Sequence, residues 1–179
     1  MMTVLEMAHL LYETRQPAKS LNRSTIPAKH GLYVWYCIAS DEVFYVGKAT
    51  GRGGLRRRVG GQHLNPKYVE TRPERFRPKD EYQRSCAVSV GGKVCVDKSV
   101  LRRSLGRLFR IAPGKASVQY ILDTLAVAWI TAEHISDIPK CEAELIRELK
   151  PKLNVCGVHK TAHQTNSGEV QGKSGMALT

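Results

Sequence analysis

On a helical wheel of about 100° per residue, Glu142 falls at the centre of an apolar stripe formed by Ile138, Leu145, Ile146 and Leu149. Glu144, Arg147 and Glu148 occupy the far side. An unpaired buried carboxylate is costly or changes its protonation. Glu142 therefore sits on a partly exposed stripe, pairs with an arginine, or offers its oxygens to a hard cation. Arg58 raises a similar question. Within 55–64, Leu55, Val59 and Gln62 share a helical face, Arg57 points outward, and Arg58 lies about 60° from the apolar stripe. A guanidinium held there stays charged and donates two hydrogen bonds, which suits a pentacovalent phosphate. Arg56 and Arg57 read instead as a solvated basic run able to touch a DNA backbone. Tyr33 and Tyr45 each stand near a glycine in a β-rich run, either as strand aromatics or as carriers of chemistry.

The elements that must position these residues follow from periodicity and turn chemistry. Residues 3–14 have helical spacing, and 16–29, with two prolines, read as a connector, so the domain proper is expected to begin near Ile26. Gly31 to Ile38 alternates Leu32, Val34, Tyr36 and Ile38 with Tyr33, Trp35 and Cys37, and Ala39-Ser-Asp-Glu42 supplies a turn before Val43 to Val46. A plain four-residue turn there pairs Ile38 with Val43 and puts the two tyrosines on opposite faces; convergence requires a bulge, an odd-length loop, or Tyr45 at its strand's end. Residues 65–85 read as a polar surface loop. Ala87 to Val90 and Lys93 to Val96 flank Gly91-Gly92 as a hairpin. From Lys98 to Ile111, Leu101, Leu105, Leu108 and Phe109 make an apolar back, and Arg103, Arg107 and Arg110 a basic front. Val118 to Asp123 offers a further helical turn or two. Leu125 to Thr131 is a strand apolar on both faces, which implies a sheet centre. Ser136 or Asp137 with Pro139 starts a helix that ends at Lys150-Pro151. Residues 157–179 have the composition of a disordered tail.

The chain has 179 residues, 42% of them hydrophobic, which suits one globular domain. No apolar run approaches the roughly 20 residues of a membrane helix. No secretion signal is readable at the N-terminus and none is expected, and five cysteines without a C-x-x-C pair indicate neither zinc nor a disulfide framework. Reduced thiols in a cytoplasmic protein are expected. The net charge is +12, and it is concentrated: residues 48–110 hold 17 Lys and Arg against 5 Asp and Glu, whereas both flanks balance. That asymmetry suits a phosphate backbone, where each neutralised phosphate releases counterions.

In order, Gly31-Leu-Tyr33, Tyr45-Val-Gly-Lys48, Leu55-Arg-Arg-Arg58 and Glu142-x-x-Leu-Ile146 with Pro151 and Asn154 make a pattern that resembles the GIY-YIG nuclease family, over about 30–65 and 125–155. The resemblance implies an α/β fold of the α+β type, with a small central three-stranded antiparallel sheet flanked by helices. It also implies hydrolysis of DNA phosphodiester bonds dependent on Mg²⁺ or Mn²⁺, with no small-molecule cofactor. The implied site uses Tyr33, Tyr45, Arg58, Glu142 and Asn154. Glu142 would anchor the metal, Arg58 would neutralise the phosphoryl oxygens, Tyr33 would act as general base or water positioner, and Tyr45 would orient water or phosphate. Because a phenol near pKa 10 is a weak base at neutral pH, Lys48 or His63 is expected to lower the Tyr33 pKa or share its task. His63 is otherwise an exposed or structural histidine.

The domain then runs over 26–156, after an N-terminal helix and connector at 1–25. About 60 residues separate the arginine helix from the late strand, and 65–124 read as an inserted hairpin and basic helix that grip DNA, with Arg103, Arg107 and Arg110 on phosphates. Arg56 and Arg57 join them as DNA contacts. A non-catalytic DNA-binding protein that retains the fold is the alternative. Restriction, repair and mobile-element roles remain open within the nuclease class. A palindromic double-strand cutter acts as a homodimer, for which no interface is legible here.

Overall fold

The computed structural model describes residues 2–73, 88–90 and 93–154. The expected glycine turn at Gly91-Gly92 and the tail at 157–179 lie outside the described residues. The main sheet is antiparallel with strand order β1-β7-β2-β3, where β1 is Gln16–Pro17, β2 Gly31–Cys37, β3 Val43–Ala49 and β7 Leu125–Thr131. The expected three strands form its body. The fourth, β1, is two residues long and comes from the stretch read as a connector, where Gln16 pairs with Val127 and Pro17 with Ala126. Proline is tolerated there because β1 is an edge.

Alternation along β2 sends its residues to two cores. Tyr33 and Trp35 join Leu55, Val59, Leu101 and Ile121 on one face, and Leu32, Val34 and Tyr36 join Met7, Leu11 and Leu145 on the other. Helix α1 (Val4–Glu13) covers the second face through Met7 and Leu11 and is started by a Thr3–Glu6 capping box. It therefore packs on the domain itself, outside the boundary expected at Ile26. The last described helix, α4 (Ile138–Leu149), lies on the same face. Asp137 is its N-cap, accepting from the Lys140 amide at 3.0 Å, and Lys150 ends it in the left-handed region just before Pro151.

The β2–β3 hairpin settles the facing of the tyrosines by a bulge. Tyr36 pairs with Val43 but Trp35 pairs with Tyr45, so Phe44 is the extra residue. Phe44 and Tyr45 consequently turn to the same core, and Tyr45 lands on the face of Tyr33. Beyond β3, the outer edge is closed by residues 152–154. The Lys152 amide donates to the Val43 carbonyl and the Leu153 amide to that of Phe44, at 3.1 and 2.8 Å.

A second sheet of order β4-β6-β5 is built from Val69–Pro73, Lys93–Asp97 and Val88–Val90. β4 corrects the reading of 65–85 as loop throughout: polar side chains and Pro73 suit an edge strand whose partner, β6, supplies the pairing. Helices α2 (Val100–Phe109) and α3 (Lys115–Thr124) then return to β7. On α2 the apolar back holds for Leu101 and Leu105, but Leu108 is 46% exposed and Arg102 is buried instead. Arg102 pairs with Asp97 at 2.7 Å and donates to the Asn65 and Tyr68 carbonyls. Asp97 also accepts from the Gly114 amide and the Ser117 hydroxyl. This network ties β6, α2, α3 and the approach to β4 together. Desolvation dominates both partners, pushing the Asp97 pKa up and that of Arg102 down.

Candidate active site

Tyr33 reaches across the sheet because its cross-strand partner is Gly47. A Cβ on Gly47 would collide with the Tyr33 hydroxyl and lie 2.5 Å from its Cζ and 2.7 Å from Tyr45 Cε1. The glycine beside each tyrosine thus has a steric reason: a side chain at Gly31 would likewise strike the Ile130 carbonyl and come within 3.0 Å of Leu55. The rings of Tyr33 and Tyr45 stack with centroids 6.2 Å apart, Tyr33 buried and Tyr45 half-buried.

The arginine helix is a π-helix, Arg56–His63, in which the Leu64 amide donates to the Val59 carbonyl at 3.0 Å. Bonding five residues apart widens the turn, and Gly60-Gly61 make this local departure from α geometry cheap. On an α-helical wheel Arg58 and His63 stand about 140° apart. The wider turn stacks residues five apart instead, and both act on Tyr33. The buried face is Leu55, Val59, Gly60 and His63, which corrects the placement of Gln62 there. Gln62 is half-buried and accepts from Arg58 Nη1 at 2.7 Å, so the Arg58 guanidinium is held rather than solvated.

His63 Nε2 lies 2.8 Å from Tyr33 Oη, and its Nδ1 lies 2.7 Å from Ser99 Oγ. Burial, with the positive charges of Arg58 and Arg102, pushes the His63 pKa down to about 3. Tyr33 moves the other way. Burial raises its pKa well above the ordinary phenol value, the Tyr45 and Glu142 charges add to the rise, and Arg58 opposes it. The expectation that Lys48 or His63 lowers the Tyr33 pKa is therefore corrected: both Tyr33 and His63 are neutral at pH 7. Lys48 pairs with Leu32, so it points to the other face of β3, where its ammonium meets Glu142 Oε2 at 2.5 Å. Glu142 is both part-exposed and ion-paired, with a lysine in place of the arginine considered from sequence. The group thus straddles β3, hydroxyls and guanidinium on one face and carboxylate on the other.

Asn154 is held against β3. Its Oδ1 accepts from the Val46 amide at 2.9 Å and its Nδ2 donates to the Val46 carbonyl at 2.8 Å, so the amide continues the ladder beside Tyr45 and Gly47. Arg56 is exposed, and its guanidinium donates to the Ile26 and Ser24 carbonyls. Arg57 is exposed and, with Arg52, Arg58 and Gln62, lines a depression of about 150 Å³. Arg107 and Arg110 are exposed on or just past α2, whereas Arg103 is half-buried with its charge felt by Asp97. Sequence reasoning missed Ser99 and Arg102. Ser99 carries an N-cap signal before an apolar helix, but nothing local points it at a histidine 36 residues earlier.

A family model described as the GIY-YIG catalytic domain matches residues 22–171, most of the chain. The chain belongs to the GIY-YIG catalytic-domain family, a family of nucleases. No curated protein and no solved structure matches it significantly. Among the described residues, no helix is long and apolar enough to cross a membrane.

Proposed function

We propose that the chain is a DNA endonuclease that depends on a divalent cation held at Glu142. The observation that carries this reading is the convergence of Tyr33 and Tyr45 at the side-chain-free position Gly47, with the charges of Arg58 and Glu142 near enough to act on the Tyr33 phenol. The residues fit a hard cation of the magnesium class. Such an ion keeps several waters and takes one or two carboxylates, and the part-exposed Glu142 carboxylate already attracts the Lys48 ammonium. When bound, the cation supplies Lewis-acid stabilisation of the departing 3′ oxygen. Arg58, held by Gln62, neutralises charge on the phosphoryl oxygens, and Arg52 and Arg57 add positive charge where the adjoining backbone enters. Tyr33, a phenol that keeps its proton, positions the attacking water with Tyr45 rather than acting as an ionised base. Arg107 and Arg110 contact flanking phosphates.

Incubation with supercoiled plasmid, with Mg²⁺ or with EDTA, tests the reading. Wild type should nick or linearise the plasmid only with Mg²⁺. Cleavage by wild type no better than by Glu142→Ala on plasmid, nicked, branched and single-stranded substrates would leave only DNA binding.

A further inference from the structure

We infer that Ser99, at the start of α2 in the inserted region, is a positioning residue of the active site, setting the tautomer of His63 and through it the direction of the Tyr33 hydroxyl. The inference rests on the nuclease reading for its consequence in rate, though not for its geometry. Ser99 is 3% exposed, and its Oγ has two partners among the described residues, the Arg102 amide at 3.3 Å and His63 Nδ1 at 2.7 Å. A hydroxyl has one hydrogen to donate. As N-cap, Ser99 Oγ accepts from the Arg102 amide, so its own hydrogen goes to Nδ1. The other arrangement, Nδ1–H donating to Ser99, strands a buried hydroxyl hydrogen without an acceptor.

With Nδ1 accepting, the neutral ring carries its hydrogen on Nε2 and donates it to Tyr33 Oη. Tyr33 is then free to donate its own hydrogen toward Tyr45, whose hydroxyl lies beside it at the half-open side of the group. The donors run one way, from Ser99 through His63 and Tyr33 to Tyr45, and the last hydroxyl is the one nearest solvent. A chain of this polarity offers water or phosphate a prearranged donor at its end. Its origin is a helix cap outside the sheet and the π-helix. The insertion therefore does more than carry basic side chains, because it sets the orientation of the site.

The test uses the full chain with Ser99→Ala, Ser99→Gly and Ser99→Thr. Glycine keeps most of the cap's stability while deleting the hydroxyl, and threonine restores both. Long-range ¹H–¹⁵N spectra should show wild-type His63 neutral at pH 7 with Nδ1 unprotonated. In the alanine and glycine variants the two ring nitrogens should move toward averaged shifts, with threonine returning the wild-type pattern. Plasmid cleavage should fall about 10- to 100-fold in kcat for alanine and glycine, with KM changed less than about twofold. A wild-type ring protonated on Nδ1, or a glycine variant with wild-type kcat and ring shifts, overturns the inference. Failure of wild type to cut at all would refute the nuclease reading instead, and leave the ring spectra to decide Ser99.

Discussion

The Asp97–Arg102 pair joins β6 to α2 with side chains 2% and 0% exposed, whereas the Glu142–Lys48 pair stands beside β3 with 18% and 38% of its side chains open. Around the first, two carbonyls, an amide and a hydroxyl add further partners, and Arg102 Nε alone of its guanidinium nitrogens is left without one among the described residues. The second is a single contact, and among the described residues the Glu142 carboxylate has no other hydrogen-bond partner. Both are acid–base pairs from residues with similar sequence signals, an acid or a base on an otherwise apolar face. The difference lies in access to solvent. A buried pair holds elements together and is closed to solvent, while an open pair can exchange its partner for a cation.

That contrast can be broken most directly at Glu142. Glu142→Gln should lower cleavage about 10³-fold, about 4 kcal/mol of transition-state stabilisation, with little change in the urea midpoint. A large drop in the midpoint would mean that the open pair is structural after all. The complementary change, Asp97→Ala, should cost about 3–5 kcal/mol by urea unfolding, because Arg102 is left buried without its anion. If it behaves like a surface substitution, the buried pair is not the tie between β6, α2 and α3.

His63 sharpens the comparison from the side of pH. Its folded pKa of about 3 lies below the ordinary 6.5, so between those values the unfolded chain takes up a proton that the folded chain refuses. Stability contributed by the neutral ring is present above pH 6.5 and is lost as pH falls. Between pH 7 and 5 wild type should lose about 2 kcal/mol more than His63→Asn, measured by urea unfolding at each pH. Equal losses would show that the ring is not buried neutral. The smallest effect is expected at Asn154→Ala, about 1–2 kcal/mol, from two hydrogen bonds to Val46. Cleavage should fall with the displacement of β3, and addition of free acetamide should not restore it.

Sequence reading reached the members of the candidate site more easily than their meeting. Tyr33, Tyr45, Arg58 and Glu142 could be named because motif order and a misplaced carboxylate are local facts. The convergence of the tyrosines depends on Phe44, an extra residue whose effect on facing needs the register of the partner strand. His63 was ambiguous because a 3.6-residue wheel turns it away from Arg58, and nothing in the side chains alone announces a π turn beyond two adjacent glycines. The alternation of β2, the late strand and the ends of α4 were legible because periodicity and capping residues are strong signals. β4 was hidden by its polar composition, since an edge strand borrows its order from a neighbour. Ser99 was missed because the helix was read from Lys98, and nothing local marks a serine as the partner of a histidine 36 residues earlier.

The closing of β3 by residues 152–154 has a consequence for the order in which the molecule is made. Asn154 follows Val46 by 108 positions, so Tyr33, Tyr45 and Arg58 have all been synthesised long before the edge they depend on can be sealed. Glu142 likewise follows Lys48 by 94. During translation the hydroxyl side of the site is present first and the carboxylate side arrives last. A growing chain therefore carries half a site until nearly the whole domain has emerged, and any cutting activity belongs to the finished fold.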